Sequence, residues 1–228
     1  MCRSFDTIGP IVKTVDDAGL LFSVITSNKP IDLEYRSIER GRLAILKGTA
    51  LDDLQQKPAL AFEASVKALS NFGFKIKEIE IDEVESALAL SSLVYPSEAY
   101  AEWKDKIEAA PELMYGEILQ RFRGGKDVLA SEYLKAMRDL EIFKKQYAAK
   151  CSEFDGVILP TCPIMPPNLE RLESDNGYYV SQNLMALRNT RIGNLMGICS
   201  LTIPTNYNSC GLSIICLLYT SDAADEER

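Results

Sequence analysis

Two apolar runs that each stop at a Pro-Thr pair carry the first sign of chemistry. They are Val157-Ile158-Leu159-Pro160-Thr161 and Leu201-Thr202-Ile203-Pro204-Thr205. A strand that ends in Pro-Thr at a sheet edge presents backbone groups and a hydroxyl to a pocket. Thr161 is therefore a candidate binding hydroxyl, with a loop cap as its plain alternative. Arg188 and Arg191 stand just before Asn194-Leu195-Met196-Gly197. A guanidinium there either lines a site or pairs with an acidic neighbour. Histidine is absent. That removes the Ser-His-Asp triad, the Cys-His pair and every His-ligated metal site. Hydrolysis would need another base, such as a lysine. No Gly-Gly-Ser loop occurs; the only Gly-Gly is Gly124-Gly125, followed by Lys126, and it reads as a helix break.

Composition narrows the class. The 228 residues are 46% hydrophobic and 25% charged, as expected of a globular domain with a substantial core. A net charge of −8 and a pI near 4.8 argue against nonspecific nucleic-acid binding, which needs a basic face. The six cysteines, Cys2, Cys151, Cys162, Cys199, Cys210 and Cys216, form no Cys-x-x-Cys pair. They read as reduced thiols of a cytoplasmic protein. No apolar run approaches a membrane span, and neither a metal nor a cofactor is expected.

The elements that must position these residues follow an α/β pattern. Residues 14–26 predict a helix capped by Thr14, with Asp16 and Asp17 in its first turn. Arg42–Leu46 predicts a buried strand. Asp52 or Asp53 opens a helix that runs to about Asn71 and closes at Gly73. The alternation over Lys75–Ile81 predicts a half-buried strand. Residues 83–108 read as helix interrupted at Pro96, 113–123 as a further helix, and 131–153 as a long one. In the long helix Tyr133, Met137, Leu140 and Tyr147 recur at helical spacing and read as core. Val157–Leu159, Leu201–Ile203 and Leu212–Ile215 read as strands, and 160–182 as a long loop.

The order and spacing of these segments resemble the amidase signature family. The N-terminal run Ser4-Phe5-Asp6-Thr7-Ile8-Gly9-Pro10, then Thr14-Val15-Asp16-Asp17-Ala18, is similar to the family's segment downstream of its nucleophile. Tyr115-Gly116-Glu117-Ile118 with Arg121, Gly125 and Tyr133 is similar to a helical region that carries substrate contacts. The two Pro-Thr stops are similar to the family's C-terminal half. The resemblance covers roughly residues 3–215. It implies a mixed β-sheet flanked by helices, lacking the N-terminal catalytic portion. It also implies hydrolysis of a carboxamide by a serine, a bridging cis-serine and a lysine, all upstream of this chain. This half would supply pocket wall and orientation. Arg121 lies where related sequences place an arginine that grips a substrate carboxylate bidentately; a surface arginine beside Arg123 is the plain alternative. The binding candidates are thus Arg121, Thr161 and Arg191.

The family's tRNA-dependent amidotransferase A subunits carry an acidic residue shortly before Asn-Leu-x-Gly. Here Leu187 falls there, and no Asp or Glu lies between Gly177 and Gly197. That favours a stand-alone amidase, acting on a small amide and able to assemble with copies of itself, over an amidotransferase component that needs partner subunits. A non-catalytic α/β binding domain is the third reading. The tail Cys216–Arg228 reads as the in-frame translation of a sequencing adaptor, so residues 1–215 are expected to be a partial amidase domain and 216–228 a non-native tail. On that reading the chain is cut at both ends and Met1 is internal.

Overall fold

A computed structural model describes residues 2–29 and 41–216. The chain divides into two compact units, Asp6–Glu39 and the remainder. In the smaller unit, α1 (Val15–Thr26) starts at Thr14, whose side chain accepts from the Asp17 N–H at 3.1 Å. It ends at Ser27, in the left-handed region at φ 56°. Both ends fall where the sequence puts them.

The larger unit is built on five strands and six helices among the described residues. Strand β1 (Arg42–Leu46), helix α2 (Gln56–Phe72) and strand β2 (Lys75–Ile79) form the expected strand–helix–strand unit, with β1 and β2 parallel. Gly73 closes α2 at φ 112°, where a side chain would be strained. The start of α2 differs from the sequence reading. Asp53 takes φ 51° in a turn, and the helix begins only at Gln56. The aspartates therefore belong to the turn, a role their short polar side chains suit equally well.

Helix α3 (Asp82–Ala109) runs straight past Pro96, which the sequence marks as an interruption. Tertiary packing overrides the local cost. Ser97 Oγ donates to the Leu93 carbonyl at 2.6 Å, one turn back, and the Gly125 backbone seats against the Pro96 peptide. Helix α4 (Gly116–Arg123) and helix α5 (Ala130–Cys151) follow, separated at Gly124-Gly125 as expected. Leu140 and Tyr147 of α5 are fully buried, and Tyr133 and Met137 pack against the same core.

Strand β3 (Gly156–Pro160) is buried throughout and pairs parallel with β1. The expected long loop 160–182 is largely helical instead. A short helix α6 (Leu169–Ser174) leads into α7 (Asn176–Met196). Asp175 caps α7 by accepting from the Tyr178 N–H at 2.9 Å, and Gly197 ends it at φ 63°. The Asp175-Asn176-Gly177 run, expected to lie in that loop, is a helix start. Strands β4 (Cys199–Pro204) and β5 (Gly211–Cys216) form an antiparallel hairpin, with β5 antiparallel to β3. The sheet order is β2-β1-β3-β5-β4. Cys216 closes β5; the rest of the expected non-native tail lies outside the described residues.

The sheet has two covered faces, as alternation along its strands requires. Ala44, Leu46, Val157, Leu159 and Ile215 face a core shared with α3, α4, α5 and α7. Leu43, Ile45, Ile158 and Leu212 face Phe62 of α2.

Candidate substrate-binding site

The short helix α4 buries Leu119 and Phe122 against the core, which leaves its two arginines to reach outward. They diverge. Arg123 grips Glu108 with both arms, Nε to Oε1 at 2.9 Å and Nη2 to Oε2 at 2.6 Å. That bidentate pairing holds the Glu108 carboxyl below its usual range. Arg121 instead donates from Nη1 to the Asn183 side-chain oxygen of α7 at 2.8 Å, a neutral acceptor. No ion pair forms at Arg121 among the described residues.

Arg191, two turns further along α7, is the anomaly of this interface. Its guanidinium is half-buried and makes no hydrogen bond or ion pair among the described residues. Burial pushes it down from the usual arginine range; the Tyr95 hydroxyl group opposes that shift and the Arg121 guanidinium adds to it. The Arg121 charge thus works against the Arg191 charge. A half-buried cation beside a second cation is costly unless an anion joins them. The aromatic pair Tyr115–Tyr179, edge-on with centroids 5.0 Å apart, joins the start of α4 to the start of α7.

Arg188 has a different role from Arg191. Its Nη2 donates to the Asp52 carbonyl at 2.6 Å and its Nε to Asn189 Oδ1 at 3.2 Å. Burial lowers its affinity for a proton, with Asp52, Asp53 and Cys162 opposing. It fastens α7 to the turn before α2. Asn189, 1% exposed, does the same from within: its Nδ2 donates to the carbonyls of Ala50 at 2.9 Å and Pro160 at 2.7 Å.

Thr161 lies apart from the arginines. Its hydroxyl exchanges a hydrogen bond with Ser213 at 2.8 Å and reaches Thr202 at 3.4 Å, so three hydroxyls meet across β3, β5 and β4. No hydrogen bond joins it to Arg121 or Arg191 among the described residues. Asn189 links the two places, because Pro160 accepts from it two residues before Arg191.

The sequence reading did not single out Asn183, Asn189 or Tyr95, and took Asn194 only as part of a segment. Tyr95 donates to Asn194 Oδ1 at 2.6 Å, and Asn194 Nδ2 donates to the Phe5 carbonyl, which ties α3, α7 and the N-terminal residues together. The one available signal was the apolar spacing of Ile192, Leu195 and Met196, a buried helical face. Among the described residues every lysine hydrogen bond goes to a carboxylate, and no serine hydroxyl receives one. The arrangement can bind and orient an anion; a nucleophile–base pair is not among these contacts.

A sequence profile for the family described as Amidase matches residues 1–228. The chain is 27% identical to the A subunit of the glutamyl-tRNA(Gln) amidotransferase of Sulfurisphaera tokodaii, over 90% of this chain and 50% of that protein. It is 25% identical to an amidase of Pseudomonas putida, over 93% of this chain and 49% of the relative. The fold superposes on a crystal structure of an amidase with a TM-score of 0.78 at 16% identity, covering 95% of this chain and 50% of that one. The chain thus spans about half the length of the relatives it matches. A mixed sheet in the order β2-β1-β3-β5-β4, helices on both faces and a profile match along its whole length place this chain in the amidase family.

Proposed function

We propose that this chain is the C-terminal part of an amidase that hydrolyses a carboxamide to an acid and ammonia. In that reading a serine attacks the amide carbonyl, a cis-serine and a lysine manage the proton, and all three belong to the part of the protein that precedes this chain. Backbone N–H groups beside the nucleophile would hold the oxyanion. Residues 1–215 then form the wall of the substrate site, 216–228 are a non-native tail, and the protein works in the cytoplasm. Arg121, Arg191 and Thr161 are the substrate contacts.

One observation carries the assignment of the contacts: Arg191 is half-buried with no anion beside it among the described residues, and burial, with the Arg121 charge adding to it, pushes its guanidinium below the usual range. A carboxylate or a polarised carbonyl of the substrate would relieve that repulsion. In the protein with its upstream part, Arg121→Ala should lower kcat/KM roughly ten- to a hundredfold, mostly through KM, as expected for a lost charge-assisted contact of about 1.5–3 kcal/mol. Arg123→Ala is the control, because Arg123 is committed to Glu108. An equal loss in both variants, or none in Arg121→Ala, would return Arg121 to the surface.

The amidotransferase relatives give a second reading, in which the protein works with partner subunits. Leu187 weighs against it. The residue is exposed on α7 and stands where that reading places a carboxylate. Ammonia release from free glutamine, dependent on a co-purified partner, would reverse the preference.

A further inference from the structure

Helix α7 carries an apolar row on the same face as Arg191. Val180, Leu184, Leu187 and Arg191 follow one another at spacings of four, three and four residues, so they share one face of the helix. Leu184 and Leu187 are each 45% exposed, and neither they nor Val180 belong to either hydrophobic core. A single exposed leucine needs no explanation. A row of apolar side chains that ends at a half-buried guanidinium is not a scatter.

The two flanks of that row are polar and occupied. On one side Asn183 Oδ1 accepts from Arg121 Nη1 at 2.8 Å, which ties α4 to α7. On the other side Arg188 Nη2 donates to the Asp52 carbonyl at 2.6 Å, which ties the turn before α2 to α7. At the end of the row Arg191 makes no hydrogen bond or ion pair among the described residues. Helix α7 itself contains no Asp or Glu.

We propose that this row is a specificity subsite: Arg191 takes a carboxylate of the substrate, and Leu187, Leu184 and Val180 take the hydrocarbon chain attached to it. The substrate class is then an aliphatic amide that carries a carboxylate and no ammonium group beside it. This rests on the reading of Arg191 as a substrate contact, and adds which part of the substrate each side chain meets.

Each end of the row selects by its own chemistry. A carboxylate offers the guanidinium a charged, two-oxygen partner. Methylenes laid over the leucines leave water together with them. An ammonium beside the carboxylate would set a second cation near Arg191, with no acid on α7 to receive it. Length matters too. At about 1.5 Å of rise per residue, Leu187 lies about 6 Å and Leu184 about 10 Å along the axis from Arg191. Short chains reach Leu187, and longer ones cover Leu184 as well.

The test titrates the 228-residue chain with butanoate, hexanoate and octanoate in a calorimeter, with hexylammonium as the charge control. Kd should fall by roughly three- to fourfold for each added methylene, and hexylammonium should not bind. Arg191→Gln should weaken every carboxylate by roughly ten- to a hundredfold. Leu184→Asn combined with Leu187→Asn should flatten the series; both positions are exposed, and an unchanged circular dichroism spectrum checks the fold. In the protein extended through its upstream reading frame, kcat/KM should rise from succinamate through glutaramate to adipamate. Glutamine, which is glutaramate with an added ammonium, should fall below glutaramate. No binding of octanoate, one affinity for all chain lengths, an unchanged series in the double variant or in Arg191→Gln, hexylammonium binding as tightly as hexanoate, or equal turnover of glutamine and glutaramate would each overturn the proposal. A binding series as expected, with no turnover of any amide by the extended protein, would support the subsite and count against the amidase reading alone.

Discussion

Gly125→Ala should unseat the helix that carries Arg121. A Cβ at Gly125 would lie 2.0 Å from the Pro96 carbonyl oxygen, 2.3 Å from its carbon and 2.6 Å from the Ser97 nitrogen. Contact becomes ordinary at 3.4 Å, so one backbone must retreat from the other by about 1.4 Å (3.4 minus 2.0). No side-chain rotation relieves the clash, because the obstacle is the main chain of α3. Overpacking costs about 1–3 kcal/mol where side chains adjust. A backbone-on-backbone clash belongs at the upper end, about 3 kcal/mol. For a protein of this size each kcal/mol is worth about 2–4 °C, so the melting temperature should fall by about 6–12 °C. Gly116→Ala is the matched control at the start of α4, with nothing within 4 Å of the added carbon. It should be neutral or slightly stabilising, since alanine restricts the unfolded chain. Thermal melts followed by circular dichroism, with urea midpoints as a second measure, decide the matter. A Gly125→Ala variant within about 1 kcal/mol of the parent would refute the close approach of the α4–α5 link to α3.

Two further outcomes follow from named contacts. Asn189→Ala leaves the carbonyls of Ala50 and Pro160 without their donor inside the protein, and should cost about 2–4 kcal/mol in urea unfolding; a loss under about 1 kcal/mol would mean that water replaces the amide. The Lys150 ammonium, 2.6 Å from Glu83, holds that carboxyl below its usual range. A depressed carboxyl stabilises the fold above its unfolded pKa and loses the effect as pH falls through the folded value. Lys150→Met should therefore lower the melting temperature at pH 7, and the gap should shrink as pH falls below the usual carboxylate range. The effect should be small and sensitive to salt, since the lysine is exposed. A gap that widens on acidification would contradict the assignment.

Where local and tertiary signals agree, the fold is legible in the residues. Thr14 caps α1, Gly73 ends α2, and alternation sets β2, because each is a property of a few neighbours. Pro96 misleads, since what keeps α3 continuous is contact with a residue far along the chain. Helix α7 is hidden for a related reason. Asn176-Gly177 fall in the stretch read as a long loop, but Asp175 makes them a first helical turn, and Asn189, which locks α7, is buried through bonds to distant carbonyls. The same limit applies to the site. Arg121 and Arg191 are visible as arginines, and Arg123 beside Arg121 looks equivalent. Only the packed helices show that Arg123 is spent on Glu108 while Arg191 has no anion among the described residues. Thr161 sits at the expected strand end, yet its hydroxyl is engaged by Ser213 and Thr202, which no spacing foretells.

On the proposed reading this chain shapes an amidase site whose reacting groups come from the preceding part of the protein. Ammonia release tests that division of labour, measured on a panel of aliphatic and aromatic amides for the 228-residue chain alone and for the protein extended through its upstream reading frame. The chain alone should release none above blank. The extended protein should turn over amides, and should stop when an upstream serine is replaced. Turnover by the chain alone, abolished by mutating one of its own serines, would contradict the proposal.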